Sequence, residues 1–147
     1  MTLARFVTRW THPDYRPRSV SDAALGAVEA HFRFTFPADY REAVLQTRLV
    51  SANRDLLDAI VDQDLNLADL SELLDPAAMV ASTENWRDMG LPGDMVAFGT
   101  DCSGNLFSFR KSGDPPIYYF DHDFGTTREI APSFAKWIDG YCALDMD

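Results

Sequence analysis

The sequence predicts an α+β domain, an antiparallel β meander of about four to six strands packed with N-terminal helices and a C-terminal helix. Three observations carry that expectation. From Met95 onward, MVAFGT, NLFSFR, IYYF and TTREI are short runs rich in aromatic and β-branched residues, as strands are. The links between them, DCSG, KSGDPP and DHDFG, are made of turn formers and are too short for the crossover that parallel strands need. Apolar stripes at helical spacing flank this region on both sides.

The first predicted helix begins after Arg18, with Ser19 or Ser21 as its N-cap and Asp22 in its first turn. Leu25, Val28 and Phe32 mark its buried face, and FRFTFP breaks it. Pro37 suits the first turn of a second helix, PADYREAVLQT, striped by Tyr40, Ala43, Val44 and Thr47. In a third, shorter helix Leu56, Leu57, Ile60 and Val61 are expected to be buried, with Asp55, Asp58 and Asp62 opposite. A further short turn, DLSELLDP, is expected to end at Asp75. In the NLFSFR strand Leu106 and Ser108 face one way, Phe107 and Phe109 the other. The last helix opens near Ser133, and Phe134, Trp137, Ile138 and Tyr141 give the clearest stripe in the chain.

The 147 residues are read as one domain, with its core over about 19–142 and an N-terminal extension over 1–18. Hydrophobic residues at 46% supply a core. No apolar run reaches membrane-spanning length and MTLARFVTRW lacks the pattern of a secretory signal, so the expected setting is the cytoplasm. Cys102 and Cys142 are too few for a disulfide framework and are read as reduced thiols.

Charge is distributed unevenly. Residues 1–54 hold eight arginines against five acids, a balance of +3; the rest hold five bases against eighteen acids, a balance of −13. Seven of those acids, Asp55, Asp58, Asp62, Asp64, Asp69, Glu72 and Asp75, form a run with no base among them. Such a surface repels phosphate backbones, which argues against nucleic acid as a partner, and attracts a basic protein. For any one of these acids, a plain solvated helix face is the competing reading.

The search for chemistry yields little. Asp121, His122 and Asp123 are potential metal ligands, but adjacent residues on a short turn rarely converge on one ion, so no metal is expected. Cys102 and Ser103 resemble nucleophiles, and His122 is the one candidate base, yet TDCSGN has what a reversing chain needs: an Asx side chain and Gly104 for positive φ. No phosphate-binding loop, nucleophile elbow or HExxH motif is present, so neither catalytic residues nor a cofactor are assigned.

With those pieces in place, STENWRDMGLPGDMVAFGTDCSGNLFSFR, then GDPPIYYFDHD and IAPSFAKWIDGY, resemble the SMI1/KNR4 family of the SUKH superfamily. The resemblance is carried by Trp86, Leu91-Pro92, Phe98-Gly99, Asp101, Gly104-Asn105, Pro115-Pro116-Ile117-Tyr118 and Ser133-Phe134, with FPADYREAVL matching an early family helix. The family helix is usually followed by an Asn-Gly-Gly-type turn, where this chain has LQTRLVSANRDLL. The resemblance implies a non-enzymatic binding module of the bacterial immunity type. Its partner is then a cognate toxin, expected to be basic and often a nuclease, neutralised by occlusion; the alternative is a regulatory or scaffold module with no toxin. Asp55, Asp58, Asp62, Asp64, Asp121 and Asp123 are the expected steering residues. Trp86 is either an anchor or, the preferred reading, a core residue. A monomer or weak homodimer is expected.

Overall fold

A computed structural model describes the backbone of residues 2–144 and the side chains of 3–144. Asp145 and Asp147, two of the acids counted above, lie outside the described residues. Eleven elements follow in order: α1 (Thr2–Trp10), α2 (Asp22–Phe32), α3 (Ala38–Thr47), α4 (Arg54–Asp62), β1 (Glu72–Leu73), α5 (Pro76–Arg87), β2 (Met95–Thr100), β3 (Leu106–Arg110), β4 (Ile117–Asp121), β5 (Thr126–Ala131) and α6 (Phe134–Cys142). The strands form one antiparallel sheet in the order β1-β2-β3-β4-β5, so the chain is α+β with a meander, as its turns predict.

The sheet is covered on both faces. Phe107 and Phe109 pack with α6 and α3: Phe107 meets Trp137 at 4.6 Å between ring centroids, and Phe109 meets Tyr40 at 5.2 Å. Phe98 is the extra residue of a β-bulge between Ala97 and Gly99, and its ring stacks on Phe109 at 4.1 Å. On the other face Trp86 of α5 meets Phe120 at 6.2 Å, and the Thr83 hydroxyl accepts from the Ala97 N–H. Both faces being buried, the β3 residues 106–109 are all inaccessible and polar alternation is absent there.

The predicted caps are in place. Ser21 accepts from the Ala24 N–H to open α2, and Ser133 accepts from the Lys136 N–H to open α6. Pro37 stands one position before the first residue of α3. Residues 2–10 form a helix whose Leu3, Phe6 and Trp10 are fully buried; the Trp10 indole donates to the Tyr141 carbonyl at 3.0 Å.

The acidic stretch departs from expectation in three ways. Val61 is 66% exposed, and the buried face of α4 is Leu56, Ala59 and Ile60, because α4 turns its last residues to solvent. The DLSELLDP segment is not a helical turn: Glu72 and Leu73 pair with Thr100 and Gly99, while Leu73 N–H donates to Val50 O and Ala52 N–H to Ser71 O. Long-range pairing overrode the helix-like spacing of Leu70, Leu73 and Leu74. Finally, the acids lack a base only in sequence, since Arg18 reaches Asp75 at 3.1 Å and Glu72 at 3.4 Å, and Arg54 lies 3.7 Å from Asp58.

Candidate functional site

β2 and β4 finish, and β3 and β5 begin, at one end of the sheet, and two turns meet there. Asp101, in the first turn, is buried and accepts four hydrogen bonds: Oδ1 from the Ser103 and Asn105 N–H groups, Oδ2 from Asn105 Nδ2 and from the Tyr119 hydroxyl at 2.6 Å. Gly104 completes this turn at φ +87°. Asn105 Oδ1 then accepts from the His122 N–H at 3.0 Å and faces His122 Nδ1 at 2.5 Å, which fastens the second turn, residues 121–125, to the first. Because Asn105 Nδ2 is donating to Asp101, its oxygen is the acceptor, and His122 Nδ1 carries the proton.

The C-terminal end of α5 closes the same corner. The Trp86 ring lies 5.3 Å from that of His122, and a Cβ on Gly90 would stand 3.7 Å from Gly125 Cα. Around this half-buried tryptophan Met89 is 58% and Phe124 80% exposed, large apolar side chains left in water at the tips of their turns. Asp88 and Asp123 are exposed beside them, and Asp121 accepts from the Asp123 N–H. No lysine or arginine occurs anywhere from residue 88 to 109 or from 112 to 127. The turn residues of the corner are carboxylates and apolar groups, and the flanking Arg87 is turned to the Met95 carbonyl and the Phe32 ring.

Of the seven residues singled out in the sequence, the structure gathers Trp86, Asp121 and Asp123 here. Asp55, Asp58 and Asp62 lie together on the exposed face of α4, and Asp64 follows in a left-handed conformation, φ +52°. Residues 66–69 run from that helix back to the sheet: the Asp69 carboxylate accepts from the Cys102 N–H at 3.3 Å. Between residues 66–68 and β5 lies a groove of about 220 Å³, walled by Leu67, Ala68, Tyr119, Arg128, Ile130 and Trp137. Met89 and Phe124 escaped the sequence reading, although a phenylalanine inside the turn DHDFG was a visible signal.

The chemistry available is that of recognition. Partial desolvation in its turn, followed by the neighbouring Asp69 and Asp101, pushes the Cys102 thiol up despite the Ser103 hydroxyl, the opposite of nucleophile activation. His122 spends Nδ1 on Asn105. Burial, then the hydrogen bond to Asp101, raises the Tyr119 hydroxyl. Among the described residues, no group of three or more His, Cys, Asp or Glu could hold a metal ion, and no helix is long and apolar enough to cross a membrane.

The model of the SMI1 / KNR4 family (SUKH-1) matches residues 19–140. The chain belongs to this family. The match takes in α2 through most of α6, together with both turns of the acidic corner, and leaves α1 outside it. Among curated proteins, none matches this SUKH-1 chain.

Proposed function

We propose that this SUKH-1 protein is an immunity protein, which binds a basic toxin domain in the cytoplasm and occludes its active site or substrate groove without catalysing any reaction. The observation that carries the reading is the acidic corner in a SUKH-1 chain: Asp88, Asp121 and Asp123 stand beside the apolar Trp86, Met89 and Phe124 at the meeting of two turns with the end of α5. Carboxylates around a site steer a cationic partner and speed its encounter, while aromatic and methionine side chains at the centre hold it once docked. The exposed acids of α4, Asp55, Asp58 and Asp62, add to the chain's net charge of −10, which attracts a cationic partner from a distance. Trp86 touches both Phe120 and His122, so it supports the patch from beneath while Met89 and Phe124 meet the partner.

The test is co-purification with the product of the neighbouring gene at low and high salt, alongside a growth assay in which that product is expressed with and without this protein. Protection with a complex that weakens as salt rises is the expected result. Absence of both complex and protection at every salt concentration overturns the reading. Phe124→Ala and Asp123→Lys, both at exposed positions, should weaken the complex about tenfold or more without lowering the melting temperature.

A further inference from the structure

The two edges of the sheet are treated differently. β1 is covered, because residues 50–52 pair with it through Leu73 N–H to Val50 O at 2.9 Å and Ala52 N–H to Ser71 O at 2.8 Å. β5 is not. Among the described residues, none of its backbone groups bonds any segment other than β4, so the alternate N–H and C=O groups of Thr126–Ala131 point outward. An edge of this kind is a template for another strand.

The groove beside this edge is shaped for the side chains such a strand would carry. Leu67, Ala68 and Ile130 supply apolar walls next to Trp137. The Trp137 side chain is almost completely buried, with its indole N–H shielded beside the Tyr141 hydroxyl, which donates its own proton to Ala68 O at 2.6 Å. The Trp137 ring thus forms a wall of the groove while its N–H stays beneath the surface.

A second copy of the chain is a poor occupant. Antiparallel pairing of β5 about a two-fold axis sets residues opposite their own copies. The central registers thus oppose Arg128 to Arg128 or Glu129 to Glu129, in two molecules that each carry a net charge of −10. The field around the groove favours a cationic segment instead. Arg128 is drawn over the Tyr119 ring at 5.5 Å, Glu129 is exposed in the groove's lining, and the buried Asp101 carboxylate holds the Tyr119 hydroxyl beneath it.

We propose that β5 accepts an extended, lysine- or arginine-bearing segment of a protein partner as a sixth strand, with alternate apolar side chains seated in the groove against Leu67, Ile130 and the Trp137 ring. This deepens the immunity reading and rests on it for the partner's identity. Charged Arg128 and Glu129 and the bulge at Ile130 act as the selectivity device, since they discourage neutral strands from pairing indiscriminately.

The test uses the full chain with an acetylated, amidated octapeptide that alternates lysine and valine, and the same peptide with glutamate for lysine. Nuclear magnetic resonance reads the amide exchange of residues 126–131 and the Trp137 indole signal. The lysine peptide should slow alternate β5 amides at least tenfold and shift the indole; the glutamate peptide should do neither. Leu67→Lys, at a partly exposed position, should weaken lysine-peptide binding about tenfold with the fold intact. Unchanged β5 amides, equal binding of both peptides, or concentration-dependent protection without any peptide would each overturn the inference. If the toxin complex forms while β5 amides exchange as in the free protein, the immunity reading stands and the edge assignment falls. Peptide capture on β5 by a chain that gives no protection against the toxin shows the reverse.

Discussion

The Tyr119 hydroxyl donates to Asp101 Oδ2 at 2.6 Å, tying the β2–β3 turn to β4 inside the sheet end that carries the candidate surface. Asp101 is buried and collects two backbone and two side-chain donors, so its carboxylate organises the corner from within and does not form part of its acidic surface. The bonds are charge-assisted in a site shielded from water, which makes their loss expensive.

Asp101→Ala therefore strands four donors at once and should destabilise the fold by about 3 kcal/mol, read as a lower urea midpoint. Asp101→Asn keeps an acceptor oxygen and should cost about 1 kcal/mol. Equal stability of both variants and the parent would show that water takes over the donors and that the corner is not held by this carboxylate. Cys102→Ser, in the same turn but exposed, should leave stability within about 0.5 kcal/mol.

The legibility of this corner was uneven for physical reasons. The four main strands and α6 could be read because their signals are local: turn residues between aromatic runs, and a stripe of Phe134, Trp137, Ile138 and Tyr141 that the structure buries whole. α5 left no such mark, since only Met79 and Thr83 of its twelve residues are buried. α1 did leave one, Leu3, Phe6, Val7 and Trp10 at i, i+3, i+4 and i+7, but these residues lie in the segment expected to be an N-terminal extension. Asp69 illustrates the harder case. Its burial and its bond to the Cys102 N–H depend on a residue 33 positions away, and no window of sequence contains that information.

Three tyrosines of the core make the protein sensitive to alkali. Burial is the first cause that raises Tyr40, Tyr119 and Tyr141 above the usual tyrosine value; the Asp101 bond adds to it for Tyr119. An unfolded chain loses these protons near pH 10, whereas the folded chain keeps them. The unfolded state then binds fewer protons, so stability is fully present below about pH 10 and falls as pH rises beyond it, by about 1.4 kcal/mol per pH unit for each tyrosine. Urea midpoints should be level from pH 8 to about 9.5 and drop steeply by pH 11. Tyr141→Phe should flatten that drop by about a third; a midpoint steady to pH 11 in the parent would refute the linkage.

At the end of α3, Arg48 adopts φ +79° and ψ −178°, a conformation that costs side-chain-bearing residues about 1–3 kcal/mol and suits glycine. This lies within LQTRLVSANRDLL, the stretch that replaces the glycine-containing turn expected of the family. The strain is held in place on both sides: the Arg48 N–H donates to Val44 O at 2.9 Å, and Leu49 exchanges backbone bonds with Arg18 at 2.8 and 2.9 Å. The side chain of Arg48 is exposed, so little packing is lost with it. Arg48→Gly should relieve the strain, against a loss of about 0.5–1 kcal/mol through greater freedom of the unfolded chain. The expected net effect is a gain of about 1 kcal/mol and a melting temperature higher by about 3 °C. Arg48→Ala separates the two contributions, because it removes the charge and the long side chain but keeps the Cβ. If alanine stabilises as much as glycine, relief of charge and not of backbone strain is responsible, and the conformational argument fails.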